Sequence, residues 1–294
     1  MTKESFISWI KIILELGKVR ISLPIALSAL VGFTMKTGSF GSEVWMLMSG
    51  VFLMSCSSGA INHIQESKTD ALMPRTKNRP IPSGKISEKG AIWVAFLFFA
   101  FGGTILFASF PPIVFITSFL TLLSYNIIYT PLKKLTAFAV VPGSLVGALP
   151  PYIGWFAGGG AFIDEQIIWV ALFFFIGQIP HFWLLLLMFG KEYTLAGYPS
   201  LNSVFNDNQI KRLSYTWILA TIATAFVVAL TVLQSTITML ILLVYIFYLL
   251  FSLTSGIMVK KDIPVRASFL KLNFMYLLMM IVLIVDSLYS SGKS

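Results

Sequence analysis

Residues 62–84 read NHIQESKTDALMPRTKNRPIPSG. The side chains come in order: an amide and two acids first (Asn62, Glu66, Asp70), then three bases (Arg75, Lys77, Arg79). The chain on both sides of this segment is apolar, in runs of about 20 residues, the length that crosses a hydrocarbon core of roughly 30 Å. The segment therefore reads as a polar connection between two membrane-crossing helices. That reading makes the fold an all-α polytopic membrane bundle.

Composition agrees with it. Of 294 residues, 57% are hydrophobic and 11% charged, whereas a soluble domain carries about 25% charged residues. Apolar runs predict nine spans, at 20–36, 43–63, 90–108, 110–128, 138–157, 167–189, 212–233, 236–258 and 269–288. With the N-terminus in the cytoplasm, 19 of the 21 Lys and Arg residues fall on the cytoplasmic side, all but Lys36 and Lys293. The positive-inside rule selects that orientation. The net charge of +9 is thus an insertion signal, and no nucleic-acid partner is expected. Residues 1–19 read as an amphipathic lead-in on the cytoplasmic face, and residues 1–294 as one domain. Cys56 is the single cysteine, so no intramolecular disulfide forms.

The expected outer connections are short (37–42, 109–111, 158–166 and 234–235), while the inner connections 64–89 and 190–211 are long and 129–137 is short and basic. Long connections without a core of their own are commonly functional. Asn62, Glu66 and Asp70 recur every four residues, which stacks them on one face of a helix. Two like charges beside a membrane are costly, and a cation relieves them. Oxygen ligands of this kind suit Mg²⁺, which takes one or two carboxylates plus water and phosphate oxygens. Arg75, Lys77 and Arg79 follow at once, and the guanidinium fork matches phosphate. By itself this is also what any basic cytoplasmic loop looks like. The second element, PHFWLLLLMFGKEYTLAGYPSL (180–201), puts Lys191 and Glu192 just past another span on the same side. Two acid-bearing segments on one face suit a metal-bridged diphosphate.

The motif N-x-x-x-E-x-x-x-D followed by M-x-R-T-x-N-R-P resembles the first acidic motif of the UbiA superfamily of intramembrane prenyltransferases. Together with KVRISLPIALSALVGF (18–33), YTPLKKLTAFAVVPGSLVGALPPYIGW (129–155) and residues 180–201, it is similar to the protoheme IX farnesyltransferase (heme O synthase) branch. The likeness extends over nearly the whole chain. It implies a UbiA-type bundle in a bacterial inner membrane, with the active site on the cytoplasmic side. It also implies Mg²⁺-dependent farnesyl transfer from farnesyl diphosphate to a vinyl group of heme B, and a downstream heme A synthase or terminal-oxidase assembly as partner. Asn62, Glu66, Asp70 and Glu192 are the implied catalytic set, with Glu66, Asp70 and Glu192 on the metal. Arg75, Lys77, Arg79, Lys133, Lys134 and Lys191 are the implied diphosphate contacts.

The chain departs from that pattern where Glu66 and Glu192 replace Asp, Lys68 replaces an acid, Ala139 replaces Asn, and SLNSVFNDNQ (200–209) replaces a more apolar continuation. Another prenyl acceptor, a quinone precursor or chlorophyll-type macrocycle, and a non-catalytic heme-handling role are the alternatives. His181, in the motif stretch, is the candidate heme ligand; His63 is the weaker one, and the two together could also hold a permanent heme. Trp93, Tyr129, Trp155 and Tyr193 lie near span ends and read as interface anchors. GSLVGALPPYIG (143–154) reads as a close-packing surface, with Pro150 and Pro151 expected to kink or break the fifth span.

Overall fold

A computed structural model describes the backbone of residues 3–199, 201, 204–260 and 264–292, and every described regular element is helical. The helices are α1 (Lys3–Leu16), α2 (Val19–Thr37), α3 (Glu43–Asp70), α4 (Glu88–Ser109) and α5 (Pro112–Leu123). A π-helical turn (Ser124–Tyr129) leads from α5 into α6 (Thr130–Leu132). A 3₁₀ turn (Ala137–Ala139) then precedes α7 (Val140–Gly143) and α8 (Leu145–Ala157). The rest are α9 (Glu165–Leu195), α10 (Asp207–Thr231), α11 (Thr236–Lys260) and α12 (Val265–Ser291). Among the described residues, nine helical segments are long and apolar enough to cross a membrane, in the predicted order.

Several helices overrun their apolar cores. The second span was expected to stop at 63 and the sixth at 189, but α3 continues to Asp70 and α9 to Leu195. Hydropathy registers only the lipid-facing part of a helix. Glu, Gln, Lys and Thr extend it without hydrocarbon, because the backbone hydrogen bonds continue in water. Asn62, Glu66, Asp70, Lys191 and Glu192 are therefore helical residues. The long connections shrink to 71–87 and 196–206. α3 ends where Pro74 prevents continuation, and α4 restarts behind Ser87, whose side chain accepts from the Gly90 N–H at 3.1 Å.

The expected break at Pro150–Pro151 does not occur. Both prolines lie inside a continuous α8. The chain breaks its regular helix earlier, between α6 and α8, where Pro131, Pro142 and Gly143 cluster. α8 instead lies hard against α2: a Cβ on Gly154 would come 1.6 Å from the Ala29 carbonyl oxygen, and one on Gly32 would come 1.8 Å from that of Pro151. Glycine on both partners permits the backbone contact.

One of the two tryptophans expected as anchors changes role. Trp155 is 2% exposed; its indole donates to the Ala161 carbonyl at 2.9 Å, and Lys36 lies over its ring. Trp93 is exposed at the bundle perimeter, as an anchor should be. At the end opposite the basic connections, Asp286 accepts from the Gln234 and Ser235 N–H groups at 3.0 and 2.8 Å, which fixes the turn into α11.

Candidate active site

One cavity, of about 150 Å³, opens at the basic end of the bundle. α3 supplies its polar wall. The helical rise brings Asn62, Glu66 and Asp70 onto one face, and all three are buried. The face is fixed by an amide clamp one helical step round. Ser58 donates to the Asn126 side-chain oxygen at 2.7 Å; Asn126 donates back to the Ser58 carbonyl at 3.0 Å and to Gln65 Oε1 at 3.2 Å. Asn126 lies in the π-helical turn. Tyr125 and Tyr129 lie in the same turn, their rings tilted by 30° with centroids 5.5 Å apart, and both line the cavity. π turns recur at functional sites.

Each polar group of the ladder has a cationic neighbour. Lys18 donates to Asn62 Oδ1, and the amide donates onward to Thr130 at 3.1 Å. Lys133 forms an ion pair with Glu66, which also accepts from the Tyr198 hydroxyl at 3.4 Å. Arg79 reaches back nine residues to Asp70 Oδ2 at 2.7 Å. The other Asp70 oxygen, Oδ1, is buried with no hydrogen-bond partner. Lys18 sits in the break between α1 and α2 with left-handed backbone angles, φ 46° and ψ 45°, so its side chain leaves the helical path and enters the cavity. Burial pushes its ammonium down to about 7, against the opposing pull of the Glu66 carboxylate. Burial likewise raises the Tyr198 hydroxyl, reinforced by Glu66.

The predicted residues divide. Asn62, Glu66, Asp70, Arg75, Arg79 and Lys133 all line the cavity. Lys77, Lys134 and Lys191 are exposed and lie off its wall; Lys134 donates to the Gln65 carbonyl at 3.3 Å. Glu192 stands at the rim, where its carboxylate accepts from the Arg75 backbone N–H at 3.3 Å; Arg75 in turn lies over the Phe189 ring. Neither histidine reaches the cavity. His63 is buried in α3. His181 packs between Phe269, at 4.9 Å, and Tyr276, with Nδ1 unpartnered.

Sequence reasoning missed Lys18, Tyr125 and Tyr198, and assigned Tyr129 and Tyr193 to the membrane interface although both line the cavity. A lysine flanked by apolar helices, as in LELGKVRIS, was the available signal for Lys18. The tyrosines carried none, since a span-end anchor and a cavity wall have the same local sequence.

The donor set is oxygen-only. Among the described residues, no three His, Cys, Asp or Glu side chains converge into a closed metal cage. A ladder of two carboxylates and an amide, with one buried carboxylate oxygen free, fits a hard divalent cation that takes its remaining ligands from water and phosphate. The apolar wall is a helical stripe on α9, Phe182, Leu185 and Phe189.

Comparison with known proteins identifies the family. The chain matches the UbiA prenyltransferase family over residues 16–286. It is 33% identical over 282 residues to the protoheme IX farnesyltransferase of Oleidesulfovibrio alaskensis, covering 95% of this chain and 97% of that one. It is 35% identical over 193 residues to the protein of that name from Geobacter sulfurreducens, covering 63% and 68%. Its fold is similar to an apo UbiA homolog from Aeropyrum pernix K1 (TM-score 0.73, 16% identity, 91% of this chain and 98% of that one). It is also similar to a UbiA homolog from Archaeoglobus fulgidus solved with DMAPP and Mg²⁺ (TM-score 0.70, 15% identity, 94% and 99%).

Proposed function

Because the chain belongs to the UbiA prenyltransferase family, we propose that it transfers the farnesyl group of farnesyl diphosphate to a vinyl group of protoheme IX (heme B). The product is heme O, and Mg²⁺ is the cofactor. The observation that carries this reading is the convergence of Asn62, Glu66 and Asp70 with Lys18, Arg79 and Lys133 on one cavity. The Lys and Arg distribution supports an orientation with the basic end in the cytoplasm, and the bacterial relatives support a bacterial inner membrane as its location.

Glu66 and Asp70 would hold Mg²⁺, which would supply positive charge that stabilises the departing diphosphate. The free Asp70 Oδ1 is the position open to it. In the structure the carboxylates are paired with Lys133 and Arg79. On binding, these bases transfer from carboxylate to phosphate, so the charge of the site stays balanced while the leaving group is held. Lys18 and Arg75 approach the same space from the break between α1 and α2 and from the 71–87 connection.

A cavity of about 150 Å³ is smaller than the roughly 300–1,000 Å³ of pockets that enclose a whole drug-sized ligand. It accommodates the diphosphate head, and the isoprenoid lies along Phe182, Leu185 and Phe189. Tyr125 and Tyr129 line the cavity, where their rings would favour positive charge developing on the allylic carbon and help keep water from it. As the allylic carbon–oxygen bond to diphosphate breaks, the vinyl group forms the new carbon–carbon bond; the resulting cation captures water and loses a proton to solvent, which leaves a hydroxyl on the product. His181, one residue before the cavity-lining Phe182, is the group we assign to the heme.

Mass spectrometry of hemes from cells with and without the expressed chain tests the reaction. A heme heavier by one farnesyl group and one hydroxyl supports it. A prenylated quinone precursor, or no new heme, overturns the acceptor assignment.

A further inference from the structure

Lys271 lies inside a membrane span, and among the described residues no acid pairs with it. It is six residues into α12, about 9 Å along the axis at 1.5 Å per residue. Helices of 25 and 27 residues (α11 and α12) exceed a hydrocarbon core of about 30 Å by only a few ångströms at each end. The Lys271 backbone therefore lies below the hydrocarbon boundary. A lysine there would ordinarily extend its amine to the helix end. This one does not: its amine donates to Ser252 of α11 and stands 5.3 Å from the centre of the Tyr248 ring. Ser252 is eight residues, about 12 Å, from the α11 terminus. Tyr245 closes the arrangement by donating to the Lys271 backbone carbonyl at 2.8 Å and packing on Phe274 at 5.0 Å.

Arg79–Asp70 and Lys133–Glu66 are ion pairs of the described residues, and no described carboxylate pairs with Lys271. The groove also faces outward: Tyr248 is 50% exposed, Phe274 51% and Phe251 75%. Intramembrane charges are costly and normally face the bundle interior or a partner. Here the cation faces the perimeter, where the available counter-anion is the phosphodiester of a lipid. The exposed aromatics beside it offer a surface for acyl chain.

From this we infer that the α11–α12 groove around Lys271 is a binding site for an anionic phospholipid of the leaflet at the basic end. Charge complementarity selects the occupant. The site is separate from the catalytic cavity, and it rests only on the membrane-spanning arrangement.

The test uses the full chain purified in detergent and stripped of lipid, with lipid retention read by native mass spectrometry and thermal unfolding. Phosphatidylglycerol should bind and stabilise the wild type and Lys271→Arg. It should bind Lys271→Met about fivefold more weakly, the weight of one surface cation on anionic lipid. Phosphatidylcholine should not distinguish the three. If Lys271→Met fails to fold, Lys271→Gln replaces it. Equal phosphatidylglycerol binding by charged and neutral variants overturns the proposal. So does binding of pyrophosphate without phosphatidylglycerol, which assigns the cation to a soluble phosphate. A detergent-stable dimer dissociated by Lys271→Met assigns the groove to a second copy, and also overturns it.

Discussion

Asp70 and Arg79 are joined across a nine-residue gap by an ion pair of 2.7 Å, and the other oxygen of the same buried carboxylate has no partner. The pair holds the 71–87 connection against the end of α3 and keeps one carboxylate oxygen available. Asp70→Asn preserves shape and removes charge. It should lower turnover of farnesyl diphosphate with heme on the order of 10²-fold or more, as for other preorganised electrostatic groups, with a smaller change in substrate affinity. Wild-type turnover in both Asp70→Asn and Glu66→Gln would reduce this segment to a solvated connector.

Arg79→Ala should act twice. It removes a phosphate contact, raising the apparent KM for farnesyl diphosphate. It also leaves Asp70 buried without its partner, which should cost about 3 kcal/mol of stability. Thermal unfolding of the purified variant and a KM measurement separate the two effects. A shift in KM at unchanged stability would mean that Asp70 finds another cation.

Glu66→Asp retracts the carboxylate by about an ångström. The shorter side chain should weaken contact with Lys133 and Tyr198, which now hold Glu66 from two sides. If the charge alone matters, Mg²⁺-dependent turnover stays within about threefold of wild type; positioning effects run to 10²-fold. Turnover at several Mg²⁺ concentrations decides between them. The absence of any Mg²⁺-dependent turnover in both proteins would favour a non-catalytic role.

Gly154→Ala should destabilise by about 3 kcal/mol or more, because overpacking against an immovable carbonyl cannot relax through a side chain. The clash is with backbone, at 1.6 Å from the Ala29 oxygen. Gly292→Ala, where the backbone φ is −73° and a Cβ would meet nothing closer than 3.7 Å, is the control for glycine replacement. Fluorescence-monitored unfolding of the two should separate them clearly.

Orientation is tested by cysteine labelling in a Cys56→Ser background. A cysteine at Gly159 should react with an impermeant reagent from outside the cell, and one at Ser83 should not. The reverse pattern would put the cavity on the wrong side for a cytoplasmic diphosphate.

The class of fold, the order of the spans and the family all followed from the amino-acid sequence, for a physical reason. Crossing a bilayer demands continuous apolar length, and burying helix against helix demands small residues. Both requirements are local and leave their mark residue by residue. The four-residue spacing of Asn62, Glu66 and Asp70 is of the same kind, because one helix face is set by adjacent turns. Which cations meet that face was decided only by the tertiary structure. Lys77 and Arg79 stand two residues apart in one connection, yet only Arg79 turns back to Asp70. Lys133 and Lys134 are neighbours, and only Lys133 enters the cavity. Lys18 arrives from 44 residues away, through a left-handed backbone kink that no periodicity announces. Tyr129 and Tyr193 looked like membrane anchors because an aromatic ring at a span end has the same neighbours in sequence whether it faces headgroups or a cavity. The π-helical turn and the packing of α9 made that choice, through contacts between residues far apart in the chain.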